Sequence, residues 1–142
     1  MPGNRFPIVI GIIIFLSDRI FKRLSTIYLS SVDIEFGNGL LRLTHVKNPG
    51  AAFGLFPSQR GLIIFVSLLA LIFILRLFRR VGYNNSYFIY GLWSLVFGIL
   101  GNLYDRVFLG HVIDYIQILN SPIFNLSDIA IIIGMIMILF SS

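Results

Sequence analysis

Four apolar runs, at about residues 6–24, 61–78, 87–104 and 122–140, constrain this 142-residue chain more than any other feature. Each approaches the length of about 20 residues that carries a helix across a bilayer. Only 12% of the residues are charged, whereas a soluble domain keeps about a quarter. The expectation is an all-α polytopic membrane protein, a single domain over 1–142 with four transmembrane helices. Two runs are interrupted, and length decides how to treat them. Residues 6–16 rise only about 16 Å as a helix and residues 129–140 about 18 Å, against a hydrocarbon core of about 30 Å. The first helix must therefore continue past Asp18 and Lys22. The fourth must begin before Asp128, with Ser121 as the expected N-cap and Pro122 at the first helical position. The opening "MPGNRFPIVIGIIIFL" also suits a secretory signal, but no small-x-small cleavage site follows it. A retained first span is the expectation, with an uncleaved anchor as the alternative.

Arg76, Arg79 and Arg80 crowd the link between the second and third runs, which marks that link as cytoplasmic. Both termini are then cytoplasmic and the longer loops, about 25–60 and 105–121, face outward. Within the first, "VDIEFGNGLLRLTHV" reads as a β-hairpin turning at Gly37, Asn38 and Gly39. Next comes "KNPGAAFGLF", where Gly50, Ala51 and Ala52 allow a close backbone approach, or form only a surface turn. The net charge of +5 comes without any basic run interleaved with aromatics, so no nucleic-acid partner is expected. The absence of cysteine excludes disulfides and thiol nucleophiles.

The six acids are Asp18, Asp33, Glu35, Asp105, Asp114 and Asp128. Asp33 and Glu35 belong to the hairpin and read as solvated. The other four lie in or at the ends of spans, where an ionisable group is costly and implies a partner or a task. Asp18 and Lys22, four apart, share a helix face and suit a structural ion pair. Gly98, Asn102 and Asp105 form one stripe on the third helix beside Gly101, which suits close packing and interhelical hydrogen bonding. Arg106 can pair with Asp105 or reach an anionic group. Asp114 and Asp128 have no base at helical spacing. They can share one proton, as a peptidase pair does, or each can separately cap a helix or bond to backbone. His111, three before Asp114, is the one residue that could tune the pair, although a lone loop histidine is more often structural. Ser94 has neither a GxSxG elbow nor an evident base. Two other classes fit the pattern less well: a transport subunit, which would place acids nearer mid-membrane and carry inverted repeats, and a lipid-headgroup transferase, which would need closely spaced metal-binding acids.

"NPGAAFG", "GNLYDR", "HVIDYI" and "FNLSD", with "DRIFK" in the first run, resemble in order and spacing the motifs of the lipoprotein signal peptidase (signal peptidase II) family. The resemblance covers about residues 16–135. It implies a bacterial inner-membrane aspartyl peptidase with four transmembrane helices, an extracytoplasmic β-cradle and an active site near the outer face. It implies removal of signal peptides from prolipoproteins by cleavage just before a diacylglyceryl-modified cysteine. The family's catalytic aspartates fall on Asp114 and Asp128. Its other site residues fall on Asn48, Gly50, Asn102, Arg106 and Asn125, with Asp18, Lys22 and Asp105 as further motif positions. Neither metal nor other cofactor is implied. The implied partners are prolipoproteins and membrane lipid, and the enzyme is expected to work as a monomer. Two positions depart from the pattern: Arg19 stands where glutamine is common and Ser127 where alanine is frequent.

Overall fold

The computed structural model describes residues 5–50, 58–81 and 85–141. Seven elements follow in order: α1 (Phe6–Tyr28), β1 (Ile34–Phe36), β2 (Leu41–Asn48), α2 (Arg60–Val81), α3 (Ser86–Phe108), β3 (Val112–Ile118) and α4 (Leu126–Leu139). Pro7 sits in the first turn of α1, where its missing N–H costs nothing. The helix runs through Asp18 and Lys22 as the length argument required, and its 23 residues rise about 34 Å. Of the helices, α2 and α3 are long and apolar enough to cross a membrane, and α4 is shorter.

Helix α3 is the hub and packs against α1, α2 and α4. Its contact with α4 is backbone to backbone. A Cβ at Gly134 would lie 2.6 Å from the Gly91 oxygen, so only glycine permits this crossing. Asn85 caps α3, its side-chain oxygen accepting the Phe88 N–H at 3.2 Å. The distribution of polarity is inverted relative to a soluble protein. Phe6, Ile13, Ile20, Phe65, Phe73 and Ile133 are exposed, while Asp18, Lys22, Asn102, Asp105, Arg106 and Asn125 are buried. Apolar outside and polar inside is the arrangement that lipid, not water, makes stable.

Three strands form one antiparallel sheet in the order β1-β2-β3. The expected hairpin is present, and Gly37, Asn38 and Gly39 all take positive φ, the conformation that Gly and Asn tolerate. Arg42 ties the hairpin by pairing with Asp33, and both acids of the hairpin are exposed. The third strand was not expected, because 105–121 read as loop. It pairs with β2 from Leu41↔Ile118 to Asn48↔Val112. A bulge sets Thr44 and His45 opposite Tyr115, directly beside the Asp114–Val46 pair. Such a bulge re-aims the neighbouring side chains. It turns His45 toward α1, where its Nδ1 lies 3.2 Å from Ser25 Oγ.

The start of α4 corrects the expectation of Ser121 as N-cap and Pro122 as first helical residue. Ser121 Oγ instead accepts the Ile118 N–H at 3.2 Å, closing the turn after β3. Phe124 then pairs with Ile116, so the chain is still extended there. The N-cap is Asn125, and Asp128 sits in the first turn rather than well inside the helix.

Candidate active site

Asp114 rides on β3 and Asp128 on the first turn of α4, and both line one cavity of about 750 Å³. The cavity lies in the gap between α2 and α4, with Asn48, Asn102 and Arg106 on its polar side and Leu62, Val66 and Ile132 on its apolar walls. The structure thus brings together five of the residues expected at the site, with Asn125 buried behind them. Gly50 completes the edge through its backbone. Its N–H donates to Asn48 Oδ1 at 2.9 Å, and its carbonyl accepts from Arg106 Nη2 at 2.9 Å. Ala51 and Ala52 lie outside the described residues.

Four N–H groups address the two carboxylates, one to each oxygen. Asp114 Oδ2 accepts from Asn48 Nδ2 at 2.9 Å and Oδ1 from Asn125 Nδ2 at 2.6 Å. Asp128 Oδ1 accepts from Asn102 Nδ2 at 2.7 Å and Oδ2 from the Asn125 backbone N–H at 3.1 Å. An asparagine side chain can point either way, so each orientation needs a cause. For Asn48 it is the Gly50 N–H on its oxygen. For Asn125 it is the Asp128 N–H, which donates to Oδ1 at 2.9 Å in a reciprocal capping box. For Asn102 it is the Lys22 ammonium, 3.2 Å from Oδ1. Burial pushes the Asp114 carboxyl up to about 6, and the nearby charge of Asp128 adds to the effect. The bonds from Asn48 and Asn125, and the Lys22 charge, oppose it.

Beneath this pair lies a second buried polar cluster. Lys22 Nζ is 2.7 Å from both Asp18 Oδ2 and Asp105 Oδ2, so the expected Asp18–Lys22 ion pair exists and Asp105 joins it. Arg19 also binds Asp105 and lies 3.3 Å from Asp18. Asp105 is thereby occupied, and Arg106 does not pair with it. The Arg106 guanidinium donates to the carbonyls of Gly50 and Asn102, and its Nε has no partner among the described residues. Asp18 reaches the start of α4, accepting the Ser127 N–H at 3.3 Å and the Ser127 hydroxyl at 2.8 Å. Tyr115 accepts the Leu126 N–H at 3.2 Å and donates to Asp18 at 3.3 Å. The first three N–H groups of α4 therefore all have partners, from Tyr115, Asp18 and Asn125. The stripe of Gly98, Asn102 and Asp105 is buried as expected, and Gly101 faces Ser127.

Tyr115 is the site residue that sequence reasoning missed, although its place next to Asp114 was a signal. His111 does not reach the pair: it is half-buried and does not line the cavity. Ser94 donates to the Ala130 carbonyl at 2.9 Å, an interhelical bond rather than a nucleophile's setting. Among the described residues no three His, Asp or Glu side chains converge as metal ligands would.

A buried polar centre in an apolar helical bundle, with two carboxylates lining one cavity, is the make-up of a membrane protein with a candidate catalytic site. The profile of the family described as "Signal peptidase (SPase) II" matches residues 10–142. The lipoprotein signal peptidase of Clostridium novyi (strain NT) is 35% identical over 137 residues, covering 92% of this chain and 90% of that one. That of Lactococcus lactis subsp. lactis is 35% identical over 135 residues, covering 92% and 87%. Two solved structures described as bacterial membrane enzymes superpose with TM-scores of 0.89 and 0.85. They are 27% and 26% identical, and both alignments cover 95% of this chain and 85% and 90% of theirs. The chain belongs to the signal peptidase II family and is thus a protease of the membrane.

Proposed function

We propose that the protein removes signal peptides from bacterial prolipoproteins as an aspartic endopeptidase, cutting before a diacylglyceryl-modified cysteine, with Asp114 and Asp128 activating water between them. The observation that carries this reading is the set of three asparagines. Asn48, Asn102 and Asn125 each turn an NH₂ toward one of two carboxylates in a shared cavity. Carboxylates held at all four oxygens keep their positions when a proton moves, as acid–base chemistry needs.

One carboxylate takes a proton from water as the water oxygen attacks the scissile carbonyl carbon. The other gives its proton to the carbonyl oxygen. The tetrahedral diol then collapses: the newly protonated carboxyl delivers its proton to the amide nitrogen, the C–N bond breaks, and a diol proton returns to its partner. Arg106, whose buried Nε has no partner among the described residues, and Asn48 hold the substrate backbone or the polar part of the lipid. No metal or other cofactor takes part.

All four helices cross the bacterial inner membrane as a monomer, with both termini cytoplasmic and Arg79 and Arg80 closing α2 on the inner side. Helix α4, of 14 residues, rises about 21 Å against a core of about 30 Å. With its C-terminus at the inner boundary, the start of α4 lies roughly 9 Å below the outer one and Asp128, two residues further on, about 12 Å below it. The gap between α2 and α4 then admits a signal helix laterally while its acyl chains stay in lipid. In cells whose only copy carries Asp114→Asn or Asp128→Asn, a reporter prolipoprotein should remain unprocessed. Normal processing by either variant would overturn the dyad.

A further inference from the structure

We propose that Lys22 acts as a positioning residue through Asn102, so that the negative charge of the pair rests on Asp128 and the shared proton rides on Asp114. This rests on the two-aspartate reading and deepens it. The Lys22 ammonium donates to three acceptors, Asp18, Asp105 and the Asn102 oxygen, which uses all three of its N–H bonds. The Asn102 oxygen receives a second bond from Asn125 Nδ2 at 3.1 Å. Were that amide reversed, its NH₂ would face an ammonium and another NH₂ while its oxygen faced the Asp128 carboxylate. Lys22 excludes this, and the Asn102 NH₂ is left facing Asp128 at 2.7 Å. The fixed charge of Lys22 thus reaches Asp128 through one polarised amide.

The two carboxylates differ in what lies behind them. Asp128 is the third residue of α4 and accepts a backbone N–H of the capping box, at the positive end of a helix. Asp114 sits on a strand, and both its donors are neutral side-chain amides, Asn48 and Asn125. Burial raises its carboxyl to about 6. The charged groups facing the pair are Asp18 and Lys22 of α1 and Asp105 and Arg106 of α3. Asp18 and Asp105 are neutralised by Arg19 and Lys22. Arg106 then balances one further negative charge, so the buried set is neutral when the pair holds a single proton. In the reaction, water's proton goes to Asp128 and the carbonyl oxygen takes its proton from Asp114.

Two measurements on the purified full chain test this. In infrared spectra near pH 5.5, a protonated buried carboxyl band should appear in the wild type and vanish in Asp114→Asn, where ionised Asp128 alone balances Arg106. Its persistence in Asp114→Asn would overturn the assignment. The second is the pH profile of kcat/KM for a diacylglyceryl-modified precursor in Lys22→Met/Asp105→Asn, which keeps the lower cluster neutral. The acidic limb should move up by about one pH unit, because the base has lost its nearby cation. A profile superposing on the wild type would show Lys22 to be structural only. Failure of the dyad itself would look different: Asp114→Asn or Asp128→Asn would still cleave.

Discussion

At the residue scale the cost and the use of Asp114 come from one fact, its burial. Its carboxyl, raised to about 6 from an ordinary value of 3.8, is disfavoured as an anion in the fold by up to about 3 kcal/mol. That penalty is fully present above pH 6 and disappears as the pH falls below the ordinary value. Replacing it by a neutral isostere, Asp114→Asn, therefore raises the melting temperature at pH 8 and brings no gain near pH 4. The gain is reduced by about 1 kcal/mol because one amide donor then faces an NH₂. Thermal unfolding at the two pH values reads this directly. Asn125 combines two tasks, as N-cap of α4 and donor to Asp114. Asn125→Ala should lower the stability by about 1 kcal/mol and also cut kcat at least tenfold, since the carboxylate loses its orientation. Most of these residues were legible before the fold was known, because charged groups in an apolar chain stand out. Tyr115 is not, since an aromatic among aliphatics carries no such contrast and only its place next to Asp114 points to it.

At the scale of elements, the meeting of α1, α3 and α4 depends on small residues under polar contacts. A Cβ on Gly101 would stand 2.1 Å from Ser127 Oγ and 3.2 Å from Asp18 Oδ2. Gly101→Ala should therefore destabilise by about 2 kcal/mol, and Ser127→Ala should rescue part of it in a double-mutant cycle by removing the nearer atom. Additivity of the two changes would contradict the packing described. The four helices are legible from apolar length alone, and the same length requirement carries α1 past Asp18 and Lys22. Strand β3 could not be read. Val112, Ile113, Asp114 and Tyr115 are all buried, so the period-two alternation that reveals a half-exposed strand is missing. The start of α4 is not legible locally, because Ser121 and Pro122 have the chemistry of a helix start while the N-cap is Asn125. What decides is the pairing of Phe124 with Ile116, which the local sequence does not encode.

At the scale of the whole molecule, the reading is a bundle whose apolar exterior meets lipid and whose polar end faces outward. The natural chain has no cysteine, so single cysteines report without background. Asn120→Cys, in the exposed turn after β3, should react with an impermeant maleimide in intact cells, and Arg79→Cys only after permeabilisation. The reverse pattern would invert the proposed topology. The central claim is that this bundle cleaves a lipid-modified precursor with two aspartates and water. It is tested most directly by incubating the purified protein with a diacylglyceryl-modified prolipoprotein and with its unmodified counterpart, in the presence of chelator. The account predicts cleavage before the modified cysteine only, unaffected by chelator and absent in Asp114→Asn and Asp128→Asn. Loss of activity with chelator, or cleavage by either variant, would contradict it.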